Sequence, residues 1–298
     1  MFDNLISISN LLVYSAIVIY VLAFVSFTVD LGQRAGANAA LDKTYTPKIW
    51  SRLGVSMTIL AATLQLGALI TRGASAGGRV PWANMFEFTL TSTFLIAVVF
   101  LLILLKFDLR FLGAFILGLI TFLLLVTTLN YYVDPIPLQP ALQSWWLVIH
   151  VVVAALATAF FAVSFGLSSL QLVQQRFAKQ PPKNALVANF ARTIPGALKL
   201  ENNAYQINII GFVLWTFTLV FGSIWADFAW GRYWGWDTKE VWTLIIWIVY
   251  AAYIHARATR GWRGTPSAWL SIIGFLTVLF NYYIVNIFFN GLHAYSGL

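Results

Sequence analysis

The sequence predicts an all-α, polytopic membrane helix bundle of about eight transmembrane helices, with both termini outside. Three observations carry this. Of 298 residues, 60% are hydrophobic and 9% charged, more apolar surface than a water-soluble domain of this length hides. Eight stretches are long enough to cross the hydrocarbon, which takes about 20 helical residues each. The basic residues fall between those stretches, and they alternate in density from one loop to the next.

In chain order the spans lie near 10–31, 53–71, 87–105, 111–129, 145–173, 205–225, 238–258 and 267–289. No basic residue and no small-residue cleavage site flags the first run as a signal peptide, so it reads as a retained span. The most hydrophilic stretch, 176–204, carries Arg176, Lys179, Lys183, Arg192 and Lys199 with Pro181, Pro182 and Pro195. It reads as a cytoplasmic basic linker inside a single integral membrane domain, 1–298. The tryptophan-rich segment 226–237 reads as an external loop.

Loop charge sets the orientation. Arg34, Lys43, Lys48, Arg52, Lys106, Arg110, the five cations of 176–204, and Arg257, Arg260 and Arg263 fall on one side; Arg72, Arg79, Arg232 and Lys239 fall on the other. The positive-inside rule assigns the first set to the cytoplasm. The net charge of +8 is thereby read as topology control, not as a nucleic-acid footprint. With no cysteine, the chain has no disulfide, no thiolate metal site and no thiol nucleophile.

The least typical stretch for so apolar a chain is AWGRYWGWDTKEVW, 229–242. Trp230, Trp234, Trp236 and Trp242 crowd beside Arg232, Asp237, Lys239 and Glu240. An interfacial aromatic belt accounts for Trp145, Trp146, Trp225 and Trp269 at span ends, but less well for a hydrophilic cluster between spans. The chain has three histidines. His150 begins the fifth span and His293 follows the eighth, both on the side of the tryptophan loop; His255 ends the seventh span on the opposite side. Glu240 and His255 are separated by roughly 22 Å of helix, so the two ends cannot share one small ligand.

Two neutral imidazoles can bind iron along one axis, and indole faces suit a planar macrocycle. Arg232 and Lys239 could meet carboxylates such as propionates. Asp237 and Glu240, three residues apart, have the spacing of a helix capping box. Taken singly, His150 is more simply a belt residue, while His255 reads equally well as a polar helix end and as a ligand. Glu87, at the start of the third span, reads foremost as a helix cap. A zinc site fits worse, with no close pair of usual ligands.

WGRYWGWDTKEVW closely resembles the tryptophan-rich WWD signature of haem-handling proteins in cytochrome c maturation, and the Lys239–Glu240 pair resembles the CcsA/ResC branch, called CcsB in some bacteria. GRVPWANMFEFT (78–89), YQINIIGFVLWTFTLVFGSIWA (205–226), AAYIHAR (251–257), GWRG (261–264) and GLHAYSG (291–297) extend the likeness from about residue 78 to the end. The family motif usually continues Trp-Asp-Pro; here Thr238 follows Asp237, which leaves the rigidity of the loop open.

The resemblance implies a System II role: a haem-handling subunit of a holocytochrome c synthase (haem lyase) complex, presenting haem b on the outer face for thioether attachment to the CXXCH of an apocytochrome c. It implies a ResB/CcsB-type membrane partner, apocytochrome c and thiol-reducing thioredoxin-like proteins, in a bacterial plasma membrane or a thylakoid. It also implies His150 and His293 as outer iron ligands and His255 as an inner haem ligand completed by the partner. Two other readings remain: a haem delivery protein without synthetase activity, and a non-haem transporter with a tryptophan-rich outer gate.

Overall fold

A computed structural model describes residues 2–39, 49–135, 138, 142–259, 261–289 and 291–292. Among them, eight helices are long and apolar enough to cross a membrane. They are α1 (Phe2–Ala39), α2 (Ile49–Ser75), α3 (Met85–Lys106), α4 (Gly113–Asn130, led by a short 3₁₀ turn), α5 (Trp145–Lys179), α7 (Ala197–Trp230), α8 (Thr238–Ala258) and α9 (Thr265–Phe280). The last continues through a π turn, Asn281–Val285, into Asn286–Phe288. Most run past the expected spans, because hydropathy marks only the lipid-facing middle of a helix and not its polar ends.

Helices suit this chain because a backbone in hydrocarbon must satisfy its own hydrogen bonds. α1 lies along α2 and also meets α4; α5 lies along α7; α3 bridges α2, α4 and α5; α9 packs on α5 and α8. Lipid offers no hydrophobic drive between helices, so close approach of small residues matters. Ala154, Ala155, Ala157, Ala159 and Ala162 of α5 are buried. At Gly211 of α7 a methyl group would sit 2.6 Å from the Phe161 ring, so only glycine admits that crossing. Phe161 in turn stacks on Tyr250 of α8 at 3.6 Å and 6°.

Buried polar groups join the helices elsewhere. Tyr20 donates to Gln65, which donates to Thr93. Asn208 donates to Ser271. Two ion clusters are enclosed. Glu87 accepts from Arg72 at 3.0 Å and from both terminal nitrogens of Arg79 at 2.7 and 2.9 Å. Glu201 pairs with Arg257 at 3.0 Å. The expectation that counted Arg72, Arg79 and Arg257 as loop charges needs correcting: Arg72 and Arg257 lie inside helices, and all three neutralise buried carboxylates. Glu87 is likewise more than a cap. Asn84 caps α3, accepting from the Glu87 amide, while the Glu87 side chain centres the arginine pair.

The segment 176–204 also differs from the linker expected of it. α5 and α7 reach into it from either side, and α6 (Ala185–Thr193), capped by Asn184, lies between them. α6 packs on α1 and α5. Its prolines fall in the short connections, where they end helices instead of unwinding the whole segment.

Candidate functional site

At one end of the bundle, the loops before α3, before α5 and before α8 meet the last turn of the chain's final helix. They border a partly open hollow of about 590 Å³, its mouth included, lined by Trp82, Asn84, Leu142, His150, Trp225, Lys239 and Asn286, among others. A second cavity of about 440 Å³ lies alongside, bounded by Gly222, Tyr233, Trp234, Glu240 and Thr243. His150 and Lys239 line both, so they form the wall between the two.

His150 is positioned from three sides. Ser144 caps α5 by accepting from the Trp146 amide, which fixes the helix start one and a half turns before the imidazole. Nδ1 lies 2.9 Å from the Thr218 carbonyl of α7. A carbonyl only accepts, so the proton belongs on Nδ1 and the lone pair on Nε2, the tautomer a metal ligand requires. The ring stacks on Trp225 at 5.9 Å and 17°. Gly222 makes the space: a methyl group there would come within 2.8 Å of the imidazole.

Trp225 is 2% exposed, which replaces the belt role expected of it. Trp230 meets it edge-on at 4.8 Å, and Trp230 closes α7 instead of lying in the loop. Gly231 then turns the chain at φ +68°, a left-handed conformation that glycine adopts without steric cost.

The loop that follows is held by α8. Asp237 caps α8 by accepting from the Lys239 and Glu240 amides, and the Glu240 carboxylate reaches back to the Asp237 amide, completing the expected capping box. The same Glu240 oxygen accepts from the Gly235 amide at 2.7 Å. Trp236 is thereby pinned at φ +60°, a costly region for a bulky residue, with its indole 72% exposed. Trp234 stands at 86° to it and faces inward; its Nε1 and the second Glu240 oxygen are buried without a hydrogen-bond partner among the described residues. Arg232 lies flat against Gly235, where any side chain would collide with the guanidinium.

The site residues foreseen in the sequence therefore divide. His150, Trp234, Lys239 and Glu240 line the cavities; Trp230 backs Trp225; Asp237 is occupied as a cap, and Trp236 projects from the rim. Of the two cations expected to meet a carboxylate, Lys239 faces the cavities and donates to Asn286, while Arg232 covers loop backbone. His255 ends α8 far from this cluster, exposed. His293 lies outside the described residues. Residues the sequence did not single out are Trp82, Asn84, Tyr282 and Asn286. Trp82 and Asn84 sit in the 78–89 stretch that carried part of the resemblance, a signal that could have found them.

The arrangement suits a flat, largely apolar ligand with a metal at its centre and anionic edges. Indoles supply broad walls, an imidazole and an ammonium stand in the wall the two cavities share, and two buried polar atoms have no hydrogen-bond partner among the described residues. Among the described residues no group of three His, Asp or Glu side chains gathers into a metal cage.

The fold matches that of a solved structure titled Cytochrome c Heme Lyase CcmF, with a TM-score of 0.64 at 17% identity. The match covers 93% of this chain and 46% of that one, so the chain spans about half the length of that protein. Cytochrome c biogenesis protein CcsA of Guillardia theta is 35% identical over 262 residues, 83% of this chain and 86% of its own. The protein of the same name from Trieres chinensis is 32% identical over 274 residues, 83% and 88% respectively. The family model described as Cytochrome C assembly protein matches residues 82–293, from the tryptophan that opens the cavity wall to the last histidine. The chain accordingly belongs to the cytochrome c assembly protein family and is an integral membrane protein of cytochrome c maturation.

Proposed function

We propose that the chain is the haem-handling subunit of a System II cytochrome c synthetase, binding haem b at the tryptophan-rich end and presenting it there for attachment to CXXCH apocytochromes. The observation that carries this reading is the setting of His150: its Nδ1 lies 2.9 Å from the Thr218 carbonyl, its ring stacks on Trp225, and it stands in the wall of an aromatic cavity. His150 and His293 would hold the haem iron, which would keep the ring at this end of the bundle. Trp234 and Trp236 pack against the macrocycle, and Lys239 faces a propionate. That end of the bundle is the outer face, as the loop charges argue.

Bound haem supplies two vinyl groups. Each cysteine thiol adds across one vinyl double bond, sulfur to one carbon and the thiol hydrogen to the other, so the addition needs no net oxidant. The chain's own residues orient the ring and exclude water; its contribution to rate is positioning. His255, exposed at the opposite end, takes part in an inner haem site completed by a ResB/CcsB-type subunit.

The test is purified chain with its partner subunit, a reduced CXXCH peptide and haem. A Soret band from the complex and thioether product support the reading. A Soret band without product assigns the chain to delivery alone, and the lack of any Soret band leaves a non-haem transporter.

A further inference from the structure

A separate surface lies at the other end of the bundle. α6 has nine residues, too short to cross hydrocarbon, which takes about 20. It is nevertheless fixed. Phe190 packs on the main core, Asn189 is buried, and Gln174 of α5 donates to the Ala191 carbonyl in the last turn of α6 and to the Ile194 and Pro195 carbonyls just beyond it. With that face satisfied, α6 turns Leu186, 73% exposed, and Val187 away from the bundle. Leu198, at the start of α7, is exposed beside it.

Around these apolar side chains stand Arg176, Lys179, Lys183, Arg192 and Lys199, all exposed. The one acidic residue of the segment, Glu201, is buried against Arg257 and Ser267 and offsets none of them. Trp262 and Arg263, in the turn before α9, add an exposed indole and a further cation near the same end. That turn is tied to the segment: the Gly264 amide donates to Glu201, and Gln171 of α5 donates to the Gly264 carbonyl.

A short helix with outward apolar residues, flanked by cations and anchored on its inner face, has the build of an interfacial element. Its apolar residues lower into the acyl boundary while the ammonium and guanidinium groups stay at headgroup level. We infer that α6 and its flanking cations form a binding surface for anionic phospholipid headgroups of the adjacent leaflet. The surface commits to lipid over protein because its charge has one sign and its apolar side chains lie among cations, at the level where a spanning helix emerges.

The full chain contains no cysteine, so single labels can be placed without removing any. A nitroxide is attached at Leu186→Cys, and separately at Arg192→Cys, in phosphatidylcholine vesicles with and without phosphatidylglycerol. The Leu186 label is expected to be reached by oxygen but not by a water-soluble paramagnetic reagent, and the Arg192 label the reverse. Native mass spectrometry of the unlabelled chain is expected to retain phosphatidylglycerol over phosphatidylcholine. That preference is expected to fall severalfold in the K183Q/R192Q/K199Q variant with the haem spectrum unchanged. Equal access of the aqueous reagent to both labels overturns the proposal. So does unchanged lipid preference in the triple variant. Shielding of the Leu186 label from both reagents only when the partner subunit is present makes the surface a protein interface and overturns it too.

Discussion

The two ends of α8 each carry a candidate haem ligand or lie against one, and they are built differently. At the Asp237 end, the neighbouring imidazole of His150 is hydrogen-bonded, stacked on a buried indole and enclosed between two cavities. At the other end, His255 projects outward, and its neighbour Arg257 is already matched: it pairs with Glu201 and donates to Asn202. One end has its surroundings assembled within the chain. The other, among the described residues, leaves its histidine exposed, and the inner site proposed for it takes its remaining wall from a second subunit. The difference teaches that a histidine's neighbours, more than its presence, show which site the chain builds alone.

The contrast can be broken most severely at its centre. Replacing His150 with Ala is expected to drop cytochrome c assembly to background and to abolish the outer-site haem spectrum, read by haem staining and a Soret titration. Wild-type assembly in that variant would falsify the ligand assignment. Next in size, Gly222→Val leaves His150 in the sequence but fills its slot. The expected result is a loss of haem affinity of about 10–100-fold, as when support to a metal-ligating histidine is removed. An unchanged melting temperature would show that the fold survives.

Glu240→Gln tests the loop. Weakening a charge-assisted grip on two amides, with part of the capping box, is expected to destabilise this end by about 2 kcal/mol and to lower haem retention less than Gly222→Val does. Differential scanning of the purified chain checks it. Smallest of all, His255→Ala in the isolated chain is expected to change stability by less than about 0.5 kcal/mol, the usual range for an exposed side chain. It should leave the outer-site spectrum alone and reduce assembly only with the partner present. A large spectral change in the isolated chain would mean that the two ends are not separate.

Much of the bundle was readable in advance because its evidence is local. Runs of apolar residues gave eight spans, and the Asp237–Glu240 spacing gave the cap of α8. His150 stood out by its closeness to the tryptophans. Long-range pairing was not readable. Arg72 looks like a loop cation, since hydropathy cannot say that Glu87, fifteen positions on, waits inside the bundle. Trp225 and Trp145 both look like interfacial indoles; one is stacked on His150 and the other is exposed, and only the crossing of α5 with α7 separates them. α6 escaped because prolines and cations around it suggested an irregular linker, although its own nine residues are amphipathic.

The contact between Lys239 and Asn286 ties the first turn of α8 to the stretch just past the π turn. Gly291, a little farther on, approaches Asp237 so closely that a methyl group there would come within 2.9 Å of its carboxylate. The tryptophan loop and the stretch from Asn286 to Gly291 therefore share one fastening. A substitution that shifts either should re-aim the other, so variants at Asp237 or Lys239 and variants past Phe288 should resemble one another in phenotype although some fifty residues separate them in the chain.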